Sequence, residues 1–213
     1  LSVSLSIRDN GSAQVKRTVR VAAYSSLDGL DVSLINPEKT EHNQKQTPIG
    51  LETIRSLNAN WTIPKSKIQR QENFGHFWAN FSISPQLQYG DVFDFETIEN
   101  APAGLYAVSL THEELSKRKT SFDYFGWSID RPTRYLSLHV EFPEGMRPYD
   151  IKTQVMYAAV GGIPAKRFQV EEQKRLTYPT IEKIDKHYYL TMDVAYPMIG
   201  LVYIIGWNPL EIS

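Results

Sequence analysis

Alternation of apolar and polar residues with a period of two is the feature that most limits what this chain can fold into. It is clearest in residues 135–142. The apolar positions are Leu136, Leu138, Val140 and Phe142, and the intervening ones are Tyr135, Ser137, His139 and Glu141. Because the side chains of a β-strand point alternately to its two faces, this pattern predicts a strand with one buried face. Pro143 and Gly145 then end it, since proline cannot donate to a ladder and glycine permits a tight turn.

The same alternation recurs along most of the chain, with turn residues between the segments. The predicted strands lie near residues 3–7, 13–24, 30–34, 77–83, 92–98, 106–110, 151–160, 188–194 and 201–207. Short strands at this spacing are typical of antiparallel sandwiches. We therefore predict an all-β fold, an antiparallel β-sandwich of the immunoglobulin-like or jelly-roll-like kind. It has at most one or two short helices, one of them at residues 111–119 behind a capping box at Thr111 and Glu114.

Several segments lack this pattern. Residues 38–48 and 68–73 are polar and aperiodic and are expected to be loops, and residues 166–175 are expected to form a polar, basic connector that leads to Tyr178 and Pro179. Arg17 falls on the apolar face of its strand, which favours a bulge or an edge position there.

The length of 213 residues fits one large β-domain or two small ones. We predict a single sandwich over residues 1–213, with two small β-units, 1–110 and 121–213, as the alternative. Strand-like alternation starts at Leu1 without an initiator methionine, which suggests a domain cut from a longer protein.

Charge and cysteine content exclude several classes of function. Lys plus Arg (23) nearly balances Asp plus Glu (24), so no long-range field favours nucleic acid or an anionic membrane as a partner. The chain has no cysteine, which excludes thiol catalysis, thiolate-bound zinc and iron–sulfur clusters. The lack of disulfides favours a reducing, cytoplasmic location. No apolar run approaches the roughly 20 residues that span a bilayer.

Catalytic and metal-binding motifs are also missing from the sequence. The five histidines show no metal-ligand spacing, and there is no nucleophile elbow, phosphate-binding loop or dinucleotide fingerprint. We therefore expect no metal, no cofactor and no enzyme. An enzyme would require a concave site that brings a histidine such as His139 within reach of a carboxylate.

Aromatic residues are the remaining source of a binding site, because flat rings provide contact area at low entropy cost. Trp78 lies on the polar face of its predicted strand, and Tyr124 and Trp127 lie in the aromatic lead-in to the strand at 135–142. The candidate ligand- or partner-binding residues are Trp78, Tyr124, Trp127, Arg131, Arg134 and His139.

The segments DRPTRYLSLHVEFP (130–143) and YYLTMDVAYPMIGLVYIIGW (188–207) carry a resemblance. Residues 121–208 resemble uncharacterised β-rich accessory modules of bacterial multidomain signalling and defence proteins. The resemblance implies an intracellular accessory domain and assigns no functional residue.

Two functions follow as hypotheses. The first is a non-catalytic sensing or protein-interaction module that binds a protein partner, a neighbouring domain or a small ligand through loops and an exposed sheet edge. The alternative is a carbohydrate-binding module that uses exposed aromatic rings such as Trp78 and Trp127.

Overall fold

A computed structural model describes residues 1–33, 50–65, 68–73, 76–101, 103, 106, 122–157 and 166–208. Over these residues the chain forms thirteen strands and one helix. The strands in the first part are β1 (Ser2–Ile7), β2 (Ala13–Ala22), β3 (Leu27–Ser33), β4 (Gly50–Ser56), β5 (Gln69–Asn73), β6 (His76–Leu87) and β7 (Val92–Ala101). The later elements are β8 (Asp123–Ser128), β9 (Tyr135–Glu141), β10 (Tyr149–Tyr157), α1 (Lys166–Arg175), β11 (Thr180–Ile184), β12 (His187–Ala195) and β13 (Leu201–Asn208).

The chain divides into two compact units. Unit 1 consists of Leu1–Ala13 together with Ala103–Ser213, and unit 2 consists of Gln14–Pro102. Unit 1 is therefore discontinuous in sequence. The choice between one domain over 1–213 and the pair 1–110 and 121–213 stays a prediction.

Unit 1 has two layers of sheet. One layer has the strand order β11-β12-β9-β1 and the other has the order β10-β13-β8. The residues that each layer buries are, from the first, Val3, Leu5, Leu136, Leu138, Val140, Leu190 and Met192, and from the second, Phe125, Ile151, Val155, Leu201, Tyr203, Ile205 and Trp207. Beyond the end of β9, the ring of Phe142 meets Trp207 edge-on, with 5.2 Å between the centroids. Aromatic contact of this kind adds to the burial of apolar area between the layers.

Unit 2 is also built from two layers of sheet. Its layers have the orders β2-β7-β4 and β3-β6-β5. Phe93 and Phe95 of β7 stack on each other at 5.7 Å, and Phe95 meets Phe81 of β6 at 5.1 Å. The alternate residues of β7 thus fill the core between the layers, as the period-two pattern requires.

The predicted all-β sandwich with at most two short helices is confirmed, with one difference in pairing. β1 runs parallel to β9, whereas β12 runs antiparallel to it, so this layer is mixed. β1 can join in this way because a long stretch of chain separates it from β9, as a parallel crossover requires.

Two expectations from the sequence are wrong. The polar segment at 68–73 contains β5, which pairs antiparallel with β6. The connector at 166–175 is helix α1. In addition, the aromatic lead-in to β9, for which the sequence predicted no strand, forms β8, which pairs with β13. The predicted loop at 38–48 and helix at 111–119 lie outside the described residues.

Arg17 provides a third correction. It lies on the buried face of β2, where alternation continues without interruption, and it forms an ion pair with Glu99 of β7. Both side chains are almost completely buried. A charge partner in the core, rather than a bulge or an edge, is what accommodates the arginine.

Removing one member of this pair is expected to leave an uncompensated buried charge. Glu99→Gln should lower the free energy of unfolding by about 3–5 kcal/mol, and the double variant Arg17→Met/Glu99→Leu should recover most of that loss. Urea denaturation followed by circular dichroism measures both. Arg20→Gln, which breaks the exposed pair with Asp94, is the control and should have a much smaller effect. Equal losses in Glu99→Gln and Arg20→Gln would contradict the assignment.

Candidate functional site

An open sheet edge is the most distinctive surface of unit 1. β11 ends the strand order of its layer and pairs antiparallel with β12 alone among the described strands. All five of its residues, Thr180–Ile184, are exposed. Successive residues of a strand direct their backbone N–H and C=O groups to opposite sides, so every second residue of β11 presents both groups away from β12.

A groove of about 440 Å³ adjoins this edge. It is lined by residues 147–151, Tyr178 and Ile181. Ile181 belongs to β11, and Ile151 belongs to β10, the end strand of the second layer. The groove therefore lies where the end strands of the two layers of unit 1 approach each other. Rings and aliphatic side chains form much of its wall, and Arg147 and Asp150 contribute charges.

The free side of β10 is covered by side chains, unlike that of β11. Gln169 donates to the carbonyl of Val155 (2.7 Å), and Gln173 accepts from the Val155 N–H (2.7 Å) and donates to the carbonyl of Thr153 (3.0 Å). Tyr178 donates to the carbonyl of Ile151 (3.0 Å). These three residues, which we call the side-chain ladder, give β10 four hydrogen bonds of the kind that a neighbouring strand would give.

A buried carboxylate holds helix α1, and with it the ladder, in place. Glu172 accepts a hydrogen bond of 2.6 Å from the hydroxyl of Tyr203 and pairs with Arg175. Burial, followed by the hydrogen bond to Glu172, raises the pKa of the Tyr203 hydroxyl well above its usual value. Gln169 and Gln173 are four residues apart, so they share the helix face toward β10.

The predicted residue His139 lies in a polar network on the outer face of β9. Its Nε2 lies 2.8 Å from the hydroxyl of Ser137, and its Nδ1 lies 3.0 Å from the hydroxyl of Thr191. Ser137 in turn hydrogen-bonds Asp193 across the strand pair. Tyr135 also hydrogen-bonds Asp193, which raises the pKa of the Tyr135 hydroxyl.

The hydrogen bonds of Ser137 have a defined direction. The single proton of the Ser137 hydroxyl points to Asp193, since a carboxylate can only accept. The hydroxyl oxygen of Ser137 is then an acceptor for Nε2 of His139. In a nucleophilic triad the histidine accepts the serine proton and the carboxylate orients the histidine. Here the serine stands between them, and the ring bonds no carboxylate.

The structure places the other predicted residues in separate surroundings. Tyr124 and Trp127 both lie on β8, but they are three positions apart and so point to opposite faces. Arg131 and Arg134 are exposed in the turn before β9. Trp78 lies on β6 in unit 2 and is half-buried. Their roles in binding, and the carbohydrate-binding alternative, stay predictions.

The residues of the open edge carry little signal in the sequence. β11 shows no alternation because both of its faces are exposed. The exposed apolar residues Ile181 and Ile184 in a charged segment were the only available signal.

Comparison with known proteins supports the architecture. No protein-family model matches the sequence, and no curated protein matches it significantly. A protein from Parabacteroides distasonis that is described as a candidate protease has a similar fold, with a TM-score of 0.52 and 8% identity, over 97% of this chain and 39% of that chain. An M1 zinc metallopeptidase from Deinococcus radiodurans matches with a TM-score of 0.46 and 12% identity, over 96% of this chain and 40% of that chain. The chain thus spans about two fifths of the length of these structures, and at such identities the likeness concerns the fold alone.

Within the described part of the chain, no helix has the length and apolar character needed to cross a bilayer. The described residues also contain no group of three or more histidine, aspartate or glutamate side chains suited to holding a metal ion.

The bond between Tyr135 and Asp193 can be tested by titration. Asp193→Asn removes the carboxylate that opposes ionisation of the phenol, so the pKa of Tyr135 should fall toward its ordinary value. NMR of tyrosine labelled with ¹³C at Cζ measures it. The pKa of Tyr189, raised by burial and by the charge of Glu141, serves as control and should not change. Because the folded pKa of Tyr135 is raised, the stabilisation is complete below about pH 10 and is lost as the pH rises through the folded pKa. A pKa of Tyr135 that is the same in both proteins would contradict the bond.

Proposed function

We propose that this chain is a non-catalytic interaction module of a longer bacterial protein, and that it binds an extended polypeptide segment along β11. The open edge of β11 beside the groove is the observation that carries the proposal. The resemblance of residues 121–208 to accessory modules of signalling and defence proteins supports a role of this kind.

Strand addition suits this edge physically. A segment that adds to an exposed strand gains backbone hydrogen bonds with groups that otherwise face water, and its alternate side chains enter neighbouring pockets. β11 offers the backbone groups and the groove offers the pocket. On β10 the carbonyls of Ile151, Thr153 and Val155 are already bonded by the side-chain ladder.

One observation supports a binding role without catalysis. The proton of Ser137 is directed away from His139, so this pair lacks the arrangement of an activated nucleophile.

The chain matches about two fifths of a longer chain described as a candidate protease, which supports its being one part of a larger protein. The absence of cysteine supports a cytoplasmic location.

Proline substitutions on β11 test the proposal. Consecutive residues direct their N–H groups to opposite sides, so one of Ile181 and Glu182 donates to β12 and the other faces outward. Peptides selected from a display library of random 12-residue sequences should bind the wild-type chain. Proline at the outward position should weaken that binding about tenfold or more while the melting temperature stays near that of wild type. Fluorescence anisotropy measures binding and circular dichroism measures melting.

A control variant comes from unit 2. Tyr89→Ala removes an exposed ring that lies far from β11 in sequence, and it should leave peptide binding unchanged. The proposal is wrong if the library yields no binder, or if the selected peptides bind both proline variants as tightly as wild type.

A further inference from the structure

We infer the chemistry of the bound segment: it is a strand of another polypeptide, antiparallel to β11, that reads acidic, basic, then aromatic from its N-terminus to its C-terminus. This inference rests on the proposed function and specifies the partner of the same edge.

The two faces of β11 present different groups to such a strand. Ile181 lies opposite the buried Leu190 of β12 and lines the groove, so it faces the second layer of unit 1. Glu182 lies opposite Tyr189, whose hydroxyl donates to Glu141 on the outer face. Lys183 returns to the face of Ile181, and its ammonium lies 5.4 Å from the centroid of the Tyr188 ring.

An added strand would place its own residues opposite these three, on the same faces. The residue opposite Ile181 would project toward the groove, whose wall includes Tyr149 and Tyr178, and an aromatic ring provides the most contact area there. A basic residue suits the position opposite Glu182, and an acidic residue suits the position opposite Lys183, because opposite charges across a strand pair stabilise it. In an antiparallel strand these residues occur in the order acidic, basic, aromatic.

The same charges disfavour a second copy of this chain as the occupant. In the symmetric antiparallel register that uses all five residues of β11, Glu182 would lie opposite the same glutamate of the other copy. Like charges directly opposite each other destabilise a strand pair. Charged residues on an edge strand protect against self-association, yet they leave the edge open to a strand of complementary charge.

Synthetic peptides test the order of charges. The probe is the acetylated, amidated, fluorescein-labelled peptide TVEKFTV, in which Glu, Lys and Phe would face Lys183, Glu182 and Ile181. Two controls are TVKEFTV, which has the same composition with the charges exchanged, and TVEKATV, which lacks the ring. In low salt, we expect each control to bind about fivefold to tenfold more weakly than the probe.

Exchanging the charges on the chain should reverse the preference. The double variant Glu182→Lys/Lys183→Glu should bind TVKEFTV more tightly than TVEKFTV, in the same ratio as the wild type prefers TVEKFTV. Both changed residues are exposed, and the melting temperature of the variant shows whether it folds. A general effect of peptide charge would not reverse in this way, because the two peptides and the two proteins each have equal net charge.

The outcomes separate this inference from the function on which it rests. Equal affinity of the wild type for TVEKFTV and TVKEFTV, or a preference that does not reverse in the double variant, would overturn the inferred order. The proposed function would still stand if library peptides bind and a β11 proline abolishes that binding. Failure of every library peptide to bind would overturn both.

Discussion

The end strands of a sheet carry backbone N–H and C=O groups that need hydrogen-bond partners, and the two end strands β10 and β11 of unit 1 meet this need differently. A sheet that does not close leaves one side of each end strand unsatisfied. On β10 the need is met inside the molecule, by Gln169, Gln173 and Tyr178, which are contributed by a helix and the segment after it. On β11 all five residues are exposed. This difference between the two edges is the basis for proposing β11, and not β10, as the binding edge.

The polar residues on the outer face of the layer that contains β1, β9 and β12 hydrogen-bond one another. Ser137, His139 and Thr191 satisfy one another and end on Asp193, while Ser6 and Tyr189 both donate to Glu141. Such networks link β1, β9 and β12 side by side and hold each ring in one orientation. The ring of His139 thus lies between two hydroxyls and is part of this network.

The sequence predicted strands with a long alternation, such as β9, and missed short or polar strands, such as β8, β5 and β11. β9, β12 and β13 were found because core packing imposes a period of two on Leu136, Leu190 and Tyr203 with their neighbours. β5 and β11 are polar or exposed, so no alternation marks them. Helix α1 was missed because polar contacts, through Glu172 and two glutamines, attach it in place of an apolar stripe. The open edge depends on which strand ends a layer, and that follows from long-range pairing that no local pattern encodes.

The parallel pairing of β1 with β9 has a consequence for the order in which the chain folds. Ser6 and Glu141, which hydrogen-bond each other, are 135 positions apart. Gln14–Pro102 is contiguous in sequence, so its strands can pair through contacts of shorter range, whereas the pairing of β1 with β9 requires two distant parts of the chain to meet. Contacts of such long range slow folding, so we expect the β1–β9 pairing to form later than the pairing within Gln14–Pro102.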